Sequence, residues 1–288
     1  MSPDDGSNVS DVEVEDIEYR HSGDLRLLAR LYRPSGTGPF PGIVSVHGGR
    51  WVSQSRLTNQ AIDLTLARAG ILVMAIDFRM PPDVRYPESI SDINFAIRWL
   101  KQNAPRLGSA PGLIGGLGTS SGGHQIVLAA MKPNDPRYSS LERQFTDHTA
   151  AVGFVVACWP VLDPLARYKM AVLKNMKVHI ESHDAYWSGE QSMDEGSPQG
   201  LLDRNEPVAM PPLLLIQGTG DEVVPAEMTE RFATTYERRG GSAILKTFAE
   251  QPHTFITNDP EKQASQSALS DIISFIKHQA GALRDTLP

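Results

Sequence analysis

From about residue 42 onward, short apolar runs alternate with longer stretches whose apolar residues recur at helical spacing. The runs are residues 42–46, 71–76, 113–117, 150–158, 212–216 and 243–248; the amphipathic stretches are 57–69, 89–102, 121–131, 226–238 and 261–278. A short apolar run bounded by glycine or proline reads as a strand buried on both faces. Helices returning between such strands make them parallel and cover both sides of the sheet. In 89–102, Ile90, Ile93, Ile97 and Leu100 share one face, while Gly70 and Gly240-Gly241 stop the stretches that precede them. The class is therefore α/β with a mostly parallel sheet. Upstream, residues 12–20 and 25–33 flank the turn signal Ser22-Gly23-Asp24 and read as an antiparallel hairpin at the sheet edge. Residues 1–11 are polar and acidic, and are expected to be loosely attached.

One interval breaks the rhythm. Residues 159–209 are too long for a simple connection and carry Tyr168, Met170, Met176, Tyr186, Trp187 and Met193. A cap or lid over a site is the expectation. The alternative is a peripheral helical pair with a small core of its own.

Composition narrows the partners. The 288 residues suffice for one large α/β domain, and a net charge of -7 argues against nucleic acid or an anionic membrane as partner. No basic segment leads into an apolar run at the start, and no run approaches the roughly 18 apolar residues of a membrane span, so a cytoplasmic location is expected. The single cysteine, Cys158, ends an apolar run and reads as a buried, inert thiol. Oligomeric state, a homodimer included, is open.

Gly118-Thr119-Ser120-Ser121-Gly122-Gly123 carries the strongest chemical signal, since it follows a strand run and opens a helical stretch. A serine on a sharp strand-to-helix turn presents its hydroxyl above the sheet, and small residues two positions either side keep that turn free of clashes. Ser120 is the nucleophile candidate; Ser121 is out of frame with the glycines. His47-Gly48-Gly49-Arg50-Trp51 follows the run 42–46. Its glycines bring amides close to an acyl oxygen, and the N–H groups of Gly48, Gly49 and Ser121 are the expected oxyanion hole. His47 is expected to brace this loop. Asp221, in the loop after 212–216, is placed to orient an imidazole, with Glu222 as local rival and Asp163 as distant one. His253, in the loop after 243–248, is the expected base. His179 and His183 are four residues apart, but no third ligand and no His-Glu-x-x-His motif accompany them, so no metal is expected. His124 is expected to pack behind the nucleophile, and His21, His148 and His278 to lie at the surface.

With these residues assembled, the chain resembles the esterase/lipase branch of the α/β-hydrolase superfamily from about Pro34 onward. Tyr86-Pro87, Asp92, Ala96 and Trp99-Leu100 add to that resemblance, and His47 to Trp51 is similar to the HGGxW loop of kynurenine-formamidase-like and feruloyl-esterase-like hydrolases. The resemblance implies an eight-stranded sheet, helices on both faces, no cofactor and small-molecule ester substrates. Residues 12–288 would form one hydrolase domain with its cap insertion at 159–209. The implied activity is ester cleavage through an acyl-enzyme; amide or formamide hydrolysis by the same triad, or ligand binding without catalysis, are the alternatives. Trp51, Met80, Trp159, Tyr186 and Trp187 are the candidate pocket residues, and suggest an apolar or aromatic substrate group.

Overall fold

The structure, a computed structural model, describes residues 11–22, 25–139, 145 and 147–285. The expected loose segment 1–11 lies outside these except for Asp11, as do Gly23 and Asp24 of the expected turn. The strands are β1 (Val12–Ser22), β2 (Leu25–Pro34), β3 (Phe40–Val46), β4 (Leu72–Ile76), β5 (Ser109–Thr119), β6 (Val155–Cys158), β7 (Leu213–Gly218) and β8 (Ala243–Phe248). They form one sheet in the order β1-β2-β4-β3-β5-β6-β7-β8. Among the described strands only β2 runs against its neighbours, so β1 and β2 make the edge hairpin and the rest of the sheet is parallel.

The helices are α1 (Gln60–Arg68), α2 (Glu88–Asn103), α3 (Ser121–Met131), α4 (Pro164–Leu173), α5 (Lys177–Tyr186), α6 (Glu190–Glu195), α7 (Pro198–Asp203), α8 (Ala226–Arg238), α9 (Phe255–Asn258) and α10 (Gln263–Arg284). Alternation along the strands builds two cores. Val44, Val46, Leu72, Met74, Val155, Leu213 and Leu215 pack under α2, α3, α7 and α8. Ile43, Val73, Ala75, Val156, Leu214 and Ile216 pack under α1, α9 and α10. Each such fully buried Val, Leu, Ile or Met side chain contributes about 1.5–3 kcal/mol. The α/β-hydrolase fold follows from this layering.

Two boundaries differ from the pattern. The last helix runs past residue 278 to Arg284, because Ile276, Ala280 and Leu283 continue its packed face. The short α9, directly after the last loop, has no periodic signal of its own. Residues 159–209 fold as α4 to α7, docked beside the carboxyl ends of β6 and β7 through bonds such as Arg167 Nε to the Val223 carbonyl at 3.2 Å. No described helix is long and apolar enough to cross a membrane.

Register places the site. Val46 pairs with Gly118, and Thr119 with Cys158, so the loops leaving β3, β5 and β6 emerge side by side.

Candidate active site

β5 ends at Thr119 and α3 begins at Ser121, leaving Ser120 alone in the turn at φ 53° and ψ −119°. A side chain in that backbone region costs on the order of 1–3 kcal/mol, and such strain concentrates at functional positions. Space accounts for the flanking glycines. A Cβ at position 118 would stand 2.4 Å from the Gly122 carbonyl oxygen, and one at position 122 would stand 2.3 Å from the carbonyl oxygens of Val46 and His47.

The structure brings the three expected side chains together. His253 Nε2 lies 2.9 Å from Ser120 Oγ, and His253 Nδ1 lies 2.7 Å from Asp221 Oδ2. With Nδ1–H donating to the carboxylate, Nε2 is the free acceptor for the serine proton. Asp221 is held by more than the imidazole. Its Oδ1 accepts from the amides of Val223 and Val224, both at 2.8 Å, and its Oδ2 accepts from Gln217 Nε2 at 3.2 Å. Gln217 is held in turn by the Thr229 hydroxyl, 2.9 Å from its Oε1. The rivals do other work: Glu222 is exposed, while Asp163 caps α4 and pairs with Arg231.

The loop after β3 is tied to the elbow by side chains. The Gly48 N–H donates to Thr119 Oγ1 at 3.1 Å, Thr119 donates to Asn59 Oδ1 at 3.0 Å, and the Trp51 N–H donates to Ser121 Oγ at 3.1 Å. This corrects the expectation for Gly48: its amide is taken by the threonine that ends β5. The amides of Gly49 and Ser121 find no acceptor among the described residues. Gly49 has φ 107°, and a Cβ there would meet the Ser53 carbonyl oxygen at 2.1 Å. His47 Nδ1 donates to the Gly48 carbonyl at 2.7 Å while its ring stacks on Phe78, and burial pushes its imidazole down to about 4. That is a bracing role.

A cavity of about 530 Å³ opens beside Ser120 and His253. None of the five expected pocket residues lines it. Trp51, Tyr186 and Trp187 withdraw with Met193, Val161 and Val224 into a small core under the α4 to α7 segment, the Trp51 and Tyr186 rings stacking at 5.5 Å. Trp51 Nε1 donates to His124 Nδ1 at 3.1 Å, and His124, lowered to about 4 by burial, donates from Nε2 to the Gly196 carbonyl at 2.8 Å. Trp159 is buried against Phe255, and Met80 packs on the α2 side of the sheet. Aromatic surface is removed from water first, which leaves the cavity to polar side chains. Gln54, Thr58, Asn59, Thr257 and Asn258 stand there, with Arg50 and His179. Sequence reasoning missed Arg50, Gln217, Thr119, Asn59 and His179 as site residues. Thr119 lies inside the elbow motif and Gln217 four residues before Asp221, but neither type marks a role by itself.

His183 Nδ1 donates to the His179 carbonyl at 2.8 Å, so the pair bonds through backbone rather than across an ion. Among the described residues no group of three or more His, Cys, Asp or Glu side chains is arranged to hold a metal ion. Cys158 is buried, and burial pushes its thiol up.

The BD-FAE family matches residues 30–236, which takes in the loop after β3, the elbow and Asp221. The chain belongs to the BD-FAE family. Among curated relatives, this BD-FAE chain is 31% identical over 200 residues to the esterase LipC of Mycobacterium tuberculosis, covering 68% of this chain and 48% of that one. It is 24% identical over 268 residues to the isoprenylcysteine alpha-carbonyl methylesterase ICME of Arabidopsis thaliana, covering 89% and 61%. The chain spans about half the length of the first of the curated relatives it matches. Among solved structures, a hyperthermophilic esterase from the archaeon Pyrobaculum calidifontis superposes with a TM-score of 0.76 at 24% identity, covering 93% of this chain and 86% of that one. The carboxylesterase EstE1, cloned from a metagenomic library, superposes with a TM-score of 0.77 at 22% identity, covering 94% and 90%. These superpositions place the BD-FAE chain in the α/β-hydrolase fold.

Proposed function

We propose that this BD-FAE chain is a carboxylesterase that cleaves small-molecule esters through an acyl-enzyme on Ser120. The observation that carries the reading is the single imidazole of His253, within hydrogen-bond reach of both Ser120 Oγ and Asp221 Oδ2. His253 takes the serine proton as Oγ attacks the carbonyl carbon. The developing oxyanion lies toward the amides of Gly49 and Ser121, at the amino end of α3, where each donor is worth about 3–4 kcal/mol in the transition state. His253 then protonates the departing alcohol, and water activated by the same nitrogen releases the acid. Asp221 stabilises the imidazolium throughout. The names of the relatives, esterase and probable carboxylic ester hydrolase among them, agree with this chemistry. In this reading residues 12–288 are one hydrolase domain, and the α4 to α7 segment caps the cavity, to which it contributes His179.

Hydrolysis of short p-nitrophenyl esters by the purified protein tests the reading. Ser120→Ala is expected to lower kcat by at least about a thousandfold. Turnover undiminished in that variant would remove Ser120 from the reaction. Comparing an ester with its matched amide separates esterase from amidase action.

A further inference from the structure

The cavity beside Ser120 has a charge pattern opposite to that of the whole chain. The sequence carries 34 acidic and 27 basic residues, yet among the described residues no acidic one lines the cavity, whereas Arg50, His179 and His253 do. Arg50 is half-buried. Its Nε donates to Ser182 Oγ at 3.3 Å, which ties the side chain to α5 and leaves both terminal nitrogens of the guanidinium without a partner among the described residues. Arginines elsewhere meet carboxylates: Arg30 pairs with Asp16, Arg56 with Asp16 and Asp77, Arg79 with Asp92, and Arg204 with Asp194. A second arginine, Arg167, is buried nearby, and its Nε donates to the Val223 carbonyl at 3.2 Å. His179 records this surplus. Burial first, then the charges of Arg167, Arg50 and His253, push its imidazole down to about 4, so Arg50 carries the positive charge of this part of the wall.

A guanidinium fork with free ends, in a partly desolvated cavity with no carboxylate in its described lining, matches a planar anion. Focusing by the low-dielectric walls adds to that attraction. Topology says which half of an ester would carry the anion. Ser120 stands at the end of β5; Arg50 follows β3 on one side, and His253 arrives from beyond β8 on the other. The alcohol departs toward His253, which protonates it, so the Arg50 wall faces the acyl chain.

Resting on the esterase reading above, we propose that Arg50 is a specificity-determining residue that binds a carboxylate at the far end of the acyl chain, and that the preferred substrates are half-esters of dicarboxylic acids. The reaction is unchanged in kind: water adds across the acyl–oxygen bond, the alcohol leaves with a proton, and the diacid is released.

Monomethyl glutarate and methyl pentanoate test this, since they share a chain length and leaving group and differ by a carboxylate in place of a methyl. Acid release is followed in a pH-stat, with near-ultraviolet circular dichroism as the check on fold. The wild-type protein is expected to prefer monomethyl glutarate by at least about tenfold in kcat/KM, with the preference shrinking as salt is raised. Arg50→Gln is expected to abolish the preference chiefly through a higher KM for the half-ester, and Arg50→Lys to retain part of it. Ser120-dependent hydrolysis of methyl pentanoate with no preference for the half-ester, or an unaltered preference in Arg50→Gln, overturns the assignment of Arg50 and leaves the esterase reading standing. Hydrolysis of neither methyl ester overturns the assignment of Arg50, and the esterase reading falls with it only where p-nitrophenyl acetate is also left uncleaved.

Discussion

The Gly48 N–H donates to the Thr119 hydroxyl at 3.1 Å, so the loop after β3 and the turn after β5 are held together by the last residue of a strand. The same hydroxyl donates to Asn59 at the start of α1, which reaches back to Ser45 and the Val46 carbonyl. The Gly49 amide is positioned through this chain of bonds.

Thr119→Val removes the hydroxyl and leaves the buried Gly48 amide and Asn59 oxygen unpaired. Stability is expected to fall by about 1–3 kcal/mol. Loss of donor alignment is expected to lower kcat by about tenfold or more. Thr119→Ser should stay close to wild type in both. Denaturant unfolding and steady-state kinetics check the pair, and an unchanged kcat in Thr119→Val would break the link between this hydroxyl and the oxyanion site.

Gln217 acts on the reaction only through Asp221. Asp221→Asn is expected to lower kcat by about four orders of magnitude, because the imidazole loses both its tautomer control and its counter-charge. Gln217→Met leaves the bonds from Val223 and Val224 in place, so a loss nearer tenfold is expected. Kinetics of the two variants side by side give the order; an equal loss in both would show that the backbone bonds do not hold the carboxylate.

Two kinds of desolvated group set opposite pH dependences of stability. Burial holds His47, His124, His179 and His183 near 4, below the ordinary 6.5, with neighbouring arginines adding to the effect at the last two. Their contribution is complete above pH 6.5 and is lost as pH falls toward 4. Asp63 is the reverse case. Burial pushes its carboxyl from 3.8 up to about 8, so its contribution is complete in acid and is lost as pH rises through that range. Asp63→Asn is expected to melt higher than wild type at pH 8 and to lose that advantage near pH 4. Calorimetry across pH 4 to 9 decides; equal melting temperatures at pH 8 would contradict it.

Trp187 is a core residue here, 1% exposed and packed on Trp51, Tyr86 and Tyr186. Trp187→Ala is expected to cost about 3–5 kcal/mol. Its KM for p-nitrophenyl acetate, measured where the variant is folded, should shift by less than about threefold. A large rise in KM with stability intact would return Trp187 to the pocket wall.

The legible and illegible parts of this chain divide along physical lines. Ser120, Asp221 and His253 could be read because each sits just beyond an apolar run, and because Gly118 and Gly122 mark a turn that admits no Cβ. The central strands β3 to β7 were legible for the same reason, since buried parallel strands are apolar on both faces; β8, read as buried on both faces, is a partly exposed edge strand instead. The loop after β3 was legible only in outline. Its amide directions depend on positive φ at Gly49, Arg50 and Trp51, and the latter two residue types give no hint of that conformation. The cavity wall was misread because Tyr186, Trp187 and Trp51 pack on one another in a buried cluster, and such a choice is made by tertiary packing. Gln217 looks like one more residue of β7; only its bond to Asp221 reveals what it does.

Intact-mass spectrometry after treatment with a fluorophosphonate tests the central claim most directly. One covalent adduct per chain is expected, mapped to Ser120, absent in Ser120→Ala and formed far more slowly in His253→Ala. An adduct on another residue, or a wild-type protein left unmodified, would contradict the account.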